Sequence, residues 1–474
     1  MLQFETLPAS WSALLWTFRS CFTGPTFATF AMLASGLVAA PTRRTVCAML
    51  SAAGLARRWH HSRAHGFFAR ARWCPDQVGL VLARLVVQRL LPAGAPVLIA
   101  VDDTLFRRSG RRVHAAAWHH DGAAKGPTKN RIGWGNCWVI AGIVVMLPFL
   151  DRPICLPVAF ALWRTTKGST TKGSTTKGVP TSRGSGGSGS KQAIACRLVN
   201  AIAAACPGRQ IHVVADAWYA GADGAAGAGH PQGGPRARGL TAGITLTSRL
   251  RVNASLNTIA VPVPGQPGRP KRIGAKIGTP KDLAQHPDTV WTPADVHRYG
   301  RTHTVTIAEH VCLWYGVYRS RAVRVILLRD ADTATGYDLA LITTDLTSPA
   351  TTIVERYAAR WSIEVAIEDA KQITGAGEAR NRTPAAVQRT VPFGLITQSL
   401  VVAWYALHGD HRTDVAQRQA QAPWYTTKTR PAYHDMIIKL RRTLIAAKFR
   451  EGRPQQPTPT EINAIAAAWE EAAA

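Results

Sequence analysis

Acidic residues are scarce in this chain of 474 residues: 28 Asp and Glu face 57 Lys and Arg, for a formal net charge of +29. The excess is spread along most of the chain, so its field repels cations and draws polyanions. Long apolar runs are also missing. The best, Cys137 to Leu150, falls short of the roughly 18 residues that a spanning helix needs, so no transmembrane segment and no membrane partner are expected. The first apolar stretch is preceded by Glu5 rather than by a basic region, so no cleaved secretory leader is expected and the cytoplasm is the expected location. Eight cysteines, at 21, 47, 74, 137, 155, 196, 206 and 312, include no Cys-x-x-Cys pair and no zinc-type spacing. They read as buried free thiols rather than as a disulfide framework. No phosphate-cradling Gly-rich loop followed by Lys-Ser/Thr stands out, nor any nucleophilic Ser or Cys motif.

What the chain does have is enough apolar sequence, 46%, for a sizeable core and two or three domains. Residues 10 to 92 carry a helical pattern rich in Ala, Leu and Arg, broken at Gly24-Pro25, Pro41 and Cys74-Pro75. Arg43, Arg44, Arg57, Arg58, His60, His61, Arg63, Arg70 and Arg72 crowd this region. Two readings stay open, a helical DNA-binding domain and a solvated basic face on a helical bundle. Ala95 to Asp103 (APVLIAVDD) and Gln210 to Asp216 (QIHVVAD) are apolar runs closed by acids, the pattern of buried strands ending at a polar edge. Cys137 to Leu150 suits a further strand or pair of strands, and a short helix is expected over 192–205. Residues 165–190 hold a TTKGS repeat and a Gly/Ser stretch that cannot bury apolar surface. They read as a flexible charged insertion, with contact to DNA phosphates as the second reading. Residues 240–344 favour β structure, including AGITLTSRLRV and HVCLWYGVY. A helix is expected over 350–373, followed by more helix to about 447.

Strand-Asp, strand-Asp, helix-Glu is the order that two-metal phosphoryl transfer requires, because hard cations want anionic oxygens on rigid supports. On the expected helix, Tyr357, Arg360, Glu364 and Lys371 fall within an arc of roughly 60° at about 100° per residue. A carboxylate in that stripe suits a metal, and Arg and Lys a turn or two away suit phosphates. An exposed face with ordinary intrahelical pairs is the bland alternative. Glu368 also lies on the stripe and is the runner-up third ligand. His119, His120 and Asp121 lack a partner motif and read as loop residues rather than as a metal cluster.

Tyr357-Ala-Ala-Arg360-Trp361-Ser-Ile-Glu364, followed by Lys371, closely resembles the Tyr-(2)-Arg-(3)-Glu-(6)-Lys motif of bacterial insertion-sequence transposases of the DDE class. Val101-Asp102-Asp103-Thr104 resembles that family's first motif, in which the catalytic Asp directly precedes Thr. Asp103 is therefore the expected first carboxylate and Asp102, on the opposite face of a strand, its rival. Val213-Val-Ala-Asp216, with Trp218 and Tyr219, resembles the second motif, and Asp223 is a weaker rival. The resemblance runs from about residue 20 to 445. It implies an α/β fold: an RNase H-like catalytic core with a β-rich insertion and an N-terminal helical domain.

The implied division is a helical DNA-binding domain over 1–92 and core over 93–221, with the low-complexity insertion at 164–191. The β-rich insertion follows over 222–347, the Glu-bearing helical remainder over 348–447, and a tail over 448–474. The resemblance further implies two Mg2+ or Mn2+ ions held by Asp103, Asp216 and Glu364, and DNA phosphate contacts from Tyr357, Arg360 and Lys371. Trp361 would stack on a displaced base, with a buried core tryptophan as the other reading. The implied partners are double-stranded DNA, as terminal inverted repeats and target, and a second copy of the chain in a synaptic dimer at the bacterial nucleoid. The expected function is cut-and-paste transposition through metal-dependent cleavage and strand transfer, with a hairpin intermediate on resemblance alone. The alternatives are an inactive DNA-binding derivative and an RNase H-like nuclease.

Overall fold

The computed structural model describes residues 7–42, 44–122, 132–164, 190–220, 239–261, 271–330 and 336–450, together with residues 463, 466 and 467. The TTKGS repeat, Arg43, Asp223 and nearly all of the tail lie outside the described residues.

The N-terminal region is helical, as its composition predicts: α1 (Ala9–Trp16), a 3-10 turn (Arg19–Cys21), α2 (Gly24–Ala39), α3 (Val46–Ala52), α4 (His61–Ala69) and α5 (Pro75–Leu90). The prolines expected as breaks stand in the first turns of α2 and α5, where a missing N–H costs nothing. Inside the bundle Phe22 stacks on Phe30 at 4.7 Å, Phe67 on Trp73 at 4.8 Å, and Phe68 meets Phe393 edge-on at 5.2 Å. Phe393 belongs to the C-terminal half, and Arg441, also from that half, donates to the Val38 carbonyl at 2.8 Å. One hydrophobic cluster thus joins these helices to the rest of the core. Arg57, Arg58, His60, His61, Arg70 and Arg72 are exposed on the bundle's outer side.

β1 (Val97–Arg107), β2 (Ala117–His120), β3 (Ile132–Val145) and β4 (Ile154–Trp163) form an antiparallel group in which β3 pairs with each of the others. β4 was not anticipated from the sequence. After α6 (Lys191–Ala205), β5 (Ile211–Ala215) runs parallel to β1. The short α7 (Ala217–Ala220) then leads toward β6 (Thr245–Arg249), which is parallel to β5. β7 (Leu256–Ile259) and β8 (Ile273–Gly278) make a separate hairpin, with α8 (Pro280–Ala284) beside it. β9 (Thr292–Arg298), β10 (Arg301–Cys312), β11 (Val323–Arg329) and β12 (Leu339–Thr343) extend the main sheet from β6 in the order β12-β11-β10-β9. The β-rich stretch therefore lengthens the sheet instead of forming a layer of its own. The HVCLWYGVY segment, expected as strand throughout, turns into α9 (Tyr315–Tyr318) after Cys312.

The helix expected over 350–373 is two helices, α10 (Ala350–Ala359) and α11 (Trp361–Gln372), meeting at Arg360. α12 (Pro384–His408), α13 (His411–Gln421) and α14 (Tyr433–Arg450) follow. α12 is apolar and long enough to cross a membrane by length and composition, but 89% of its most apolar window is buried in this fold. Its Ser399 hydroxyl donates to the Pro157 carbonyl of β4, and its Gln398 amide to the Ala366 carbonyl of α11. α11 and α12 thus cover one face of the β4-β3-β1 half, while α5 and α6 cover the other. α10 packs on the same face as α11 but over β9 to β12. The α10–α11 junction consequently lies above the seam between β1 and β5.

Candidate active site

A strand presents successive side chains to opposite faces, and this decides what the adjacent Asp102 and Asp103 do. Val101 lines a small cavity with Val199 of α6 and with Val213, Ala215 and Tyr219, so Val101 and Asp103 face α6. Asp102 and Thr104 face α11. Lys371 of α11 donates to the Thr104 hydroxyl at 2.6 Å and lies over the Phe106 ring, 5.4 Å from its centroid. The parallel register Val101↔Ala215 sets Asp216, the next residue, level with Asp102 and on its face.

Arg360 closes the group from above. Its Nη2 meets the Glu364 carboxylate at 2.7 Å and its Nη1 stands 4.0 Å from Asp102. Its guanidinium lies 5.7 Å from the Tyr357 ring centroid. The Arg360 Nε is buried without a hydrogen-bond partner among the described residues. Burial pushes the Asp102 carboxyl up to about 7, and the Asp103 and Asp216 carboxylates add to the rise. Burial raises Asp216 as well, against the Trp218 N–H that it accepts at 2.9 Å. Two desolvated carboxylates side by side are a locus short of positive charge.

Asp103, expected as the first ligand, is not brought to Glu364. Its oxygens take Lys191 Nζ at 2.5 Å and the Tyr219 hydroxyl at 3.1 Å on the other side of the sheet. The sequence-level choice followed the Asp-Thr pair, and pairing with Thr does not say which face of β1 the helix covers. Glu368 is exposed and accepts from Gln372, away from the aspartates. Trp361 is 48% exposed, which removes the core-tryptophan reading. His119 packs on Trp163 with ring centroids 5.4 Å apart, and burial holds its ring down to about 4. Asp121 pairs with Arg107 at 2.7 Å. Lys191 and Thr104 were missed, and their signals were slight: a lysine opening a helix and a threonine two residues beyond Asp102.

Among the eight cysteines all are free and five are buried, but Cys47 is exposed and Cys21 and Cys74 are half-buried. The expectation of uniformly buried thiols is corrected there, since these three sit on the outer sides of short N-terminal elements.

A family described as DDE superfamily endonuclease matches residues 17–313. The chain belongs to this family. No curated protein matches it. The match takes in β1 with its aspartate pair and β5 with Asp216, and it ends before Glu364. DDE endonuclease domains generally use divalent metals, and the donor chemistry here suits one: hard carboxylate oxygens, uncompensated burial, and a guanidinium already standing between two of the acids. Among the described residues no three His, Cys, Asp or Glu side chains are yet close enough to share an ion. Arg360 would have to leave the gap between Asp102 and Glu364 for this DDE endonuclease to take up metal.

Proposed function

We propose that this DDE endonuclease is a DNA transposase with an RNase H-like core, in which Asp102, Asp216 and Glu364 hold two divalent ions. The observation that carries the reading is that Asp102 and Asp216 stand in register on one sheet face beneath the helix bearing Glu364. The strand order β4-β3-β1-β5-β6, antiparallel up to β1 and parallel after it, supports the RNase H-like assignment. Asp102 takes the role expected of Asp103 because it shares a face with the α11 side chains.

Bound Mg2+ or Mn2+ would supply Lewis-acid activation of water or a 3'-OH and stabilise the leaving oxygen. The chain's own residues position the DNA. Arg360, released from Glu364, offers a planar fork to a phosphate, Lys371 a point charge, and Tyr357 a hydroxyl. Trp361, exposed at the start of α11, offers a stacking surface for an unpaired base. The exposed arginines of the N-terminal helices extend the basic footprint along a duplex. A synaptic dimer, cut-and-paste strand transfer with a hairpin, and action at the bacterial nucleoid complete the proposal.

The test uses a fragment carrying the terminal repeats that flank the chain's own gene. Wild type is expected to cut it with Mg2+ or Mn2+ and to join a pre-cut end to plasmid. Glu364→Gln is expected to bind the fragment and not cut it. Cutting that survives Glu364→Gln overturns the site; cutting without joining leaves a nuclease. The Arg360 bridge favours a second reading, an inactive DNA-binding protein, for which a salt-sensitive gel shift without metal-dependent cutting is the expected result.

A further inference from the structure

The carboxylate that the proposed metal site does not use is the most heavily bonded in the region. We propose that Asp103, Lys191 and Tyr219 form a positioning set that fixes where Asp102 and Asp216 stand; the inference rests on the transposase reading above. Asp103 Oδ2 accepts from Lys191 Nζ at 2.5 Å and from the Cys137 thiol at 3.5 Å, and Oδ1 accepts from the Tyr219 hydroxyl at 3.1 Å. Both oxygens are thus directed at the α6 side of the sheet, and Lys191 neutralises their charge.

The bonded partners lead back to the other aspartate. Tyr219 lies three residues after Asp216, in α7, and its own N–H bonds the Asp216 carbonyl at 3.2 Å. Gln192, next to Lys191, donates to the Trp218 carbonyl at 3.0 Å. The first turn of α6 therefore grips β1 through Lys191 and Asp103, and grips the segment after Asp216 through Gln192. Tyr219 links the two directly. Three polar ties cross the β1–β5 seam on the face opposite the metal-binding one, immediately behind Asp102 and Asp216. Loosening them lets the two carboxylates drift apart without removing either, and partners of this kind typically govern metal affinity at about the 10- to 100-fold level.

The experiment measures Mn2+ binding by calorimetry on the full chain, with folding of each variant checked by circular dichroism. Asp103→Asn and Lys191→Met are each expected to weaken Mn2+ binding about tenfold, and the double variant no further than either alone, because one tie is cut in all three. Lys191→Arg is expected to restore affinity, since it keeps a cationic donor. Tyr219→Phe, which preserves the packing, is expected to weaken binding even if Asp103→Asn fails to fold. Loss of all binding in Asp103→Asn with wild-type affinity in Lys191→Met and Tyr219→Phe overturns the proposal and makes Asp103 a ligand. Wild-type affinity in every folded variant overturns it by reducing the set to an ordinary ion pair. A wild-type chain that neither binds Mn2+ nor cuts DNA removes the transposase reading, and this inference falls with it.

Discussion

Replacing Asp102 by Asn should make the metal-free protein more stable, and only at neutral to alkaline pH. In the fold the Asp102 carboxyl is raised by burial from 3.8 to about 7, so its charged form is disfavoured relative to the unfolded chain. The sign follows from linkage: a raised acid costs nothing below its unfolded value, and stability is lost as pH climbs toward the folded value. At about 1.4 kcal/mol per pH unit, the full penalty above pH 7 is about 4 kcal/mol, and at pH 4.5 it is about 1 kcal/mol. Asn keeps the side-chain oxygen that accepts the Asp103 N–H at 2.8 Å and carries no charge, so it removes the penalty and leaves that bond. It also gives up the attraction to Arg360 at 4.0 Å, which trims the gain to about 2 to 4 kcal/mol at pH 8. Urea midpoints in EDTA at pH 4.5, 6 and 8 measure this directly. The gain should shrink steadily as pH falls, and adding Mg2+ at pH 8 should then stabilise wild type alone. An Asp102→Asn chain that is less stable than wild type by the same amount at all three pH values would refute the reasoning, because the carboxylate would then be a satisfied structural group.

Asp345 anchors the start of α10: it accepts from the Ser348 hydroxyl at 2.6 Å and Arg356 at 3.0 Å, with His212 at 3.9 Å. Although burial alone would raise its pKa, the Ser348 and Thr347 donors hold it well below the usual carboxylate range. Asp345→Ala should cost about 2 to 4 kcal/mol in urea denaturation by stranding Arg356 and Ser348, and a change below about 0.5 kcal/mol would show that the network adds nothing. Thiol labelling of the native chain should modify Cys47 quickly, Cys21 and Cys74 slowly, and the five buried thiols only on unfolding. Burial pushes Cys137 and Cys312 up to about 12, so fast reaction of more than three thiols would contradict the packing described.

Local pattern carried much of this protein. Apolar runs ending in acids marked β1 and β5, and their side chains sit in the interior because Val, Ile and Ala there have nowhere else to be satisfied. The polar stripe of Tyr357, Arg360, Glu364 and Lys371 was legible from helical spacing, although a break at Arg360 divides it between two helices. Strand alternation also made it certain that Asp102 and Asp103 would point to opposite faces. Which face receives α11 was not legible, because that depends on α12, β4 and the N-terminal helices packing together across hundreds of residues. The same long-range packing buries Asp102, leaves Trp361 in solvent and brings Lys191 to Asp103, 88 positions earlier in the chain. Periodicity is set by bonds between neighbours, and so a sequence displays it; the choice of covered face is set by contacts between distant segments, and only the assembled fold makes that choice.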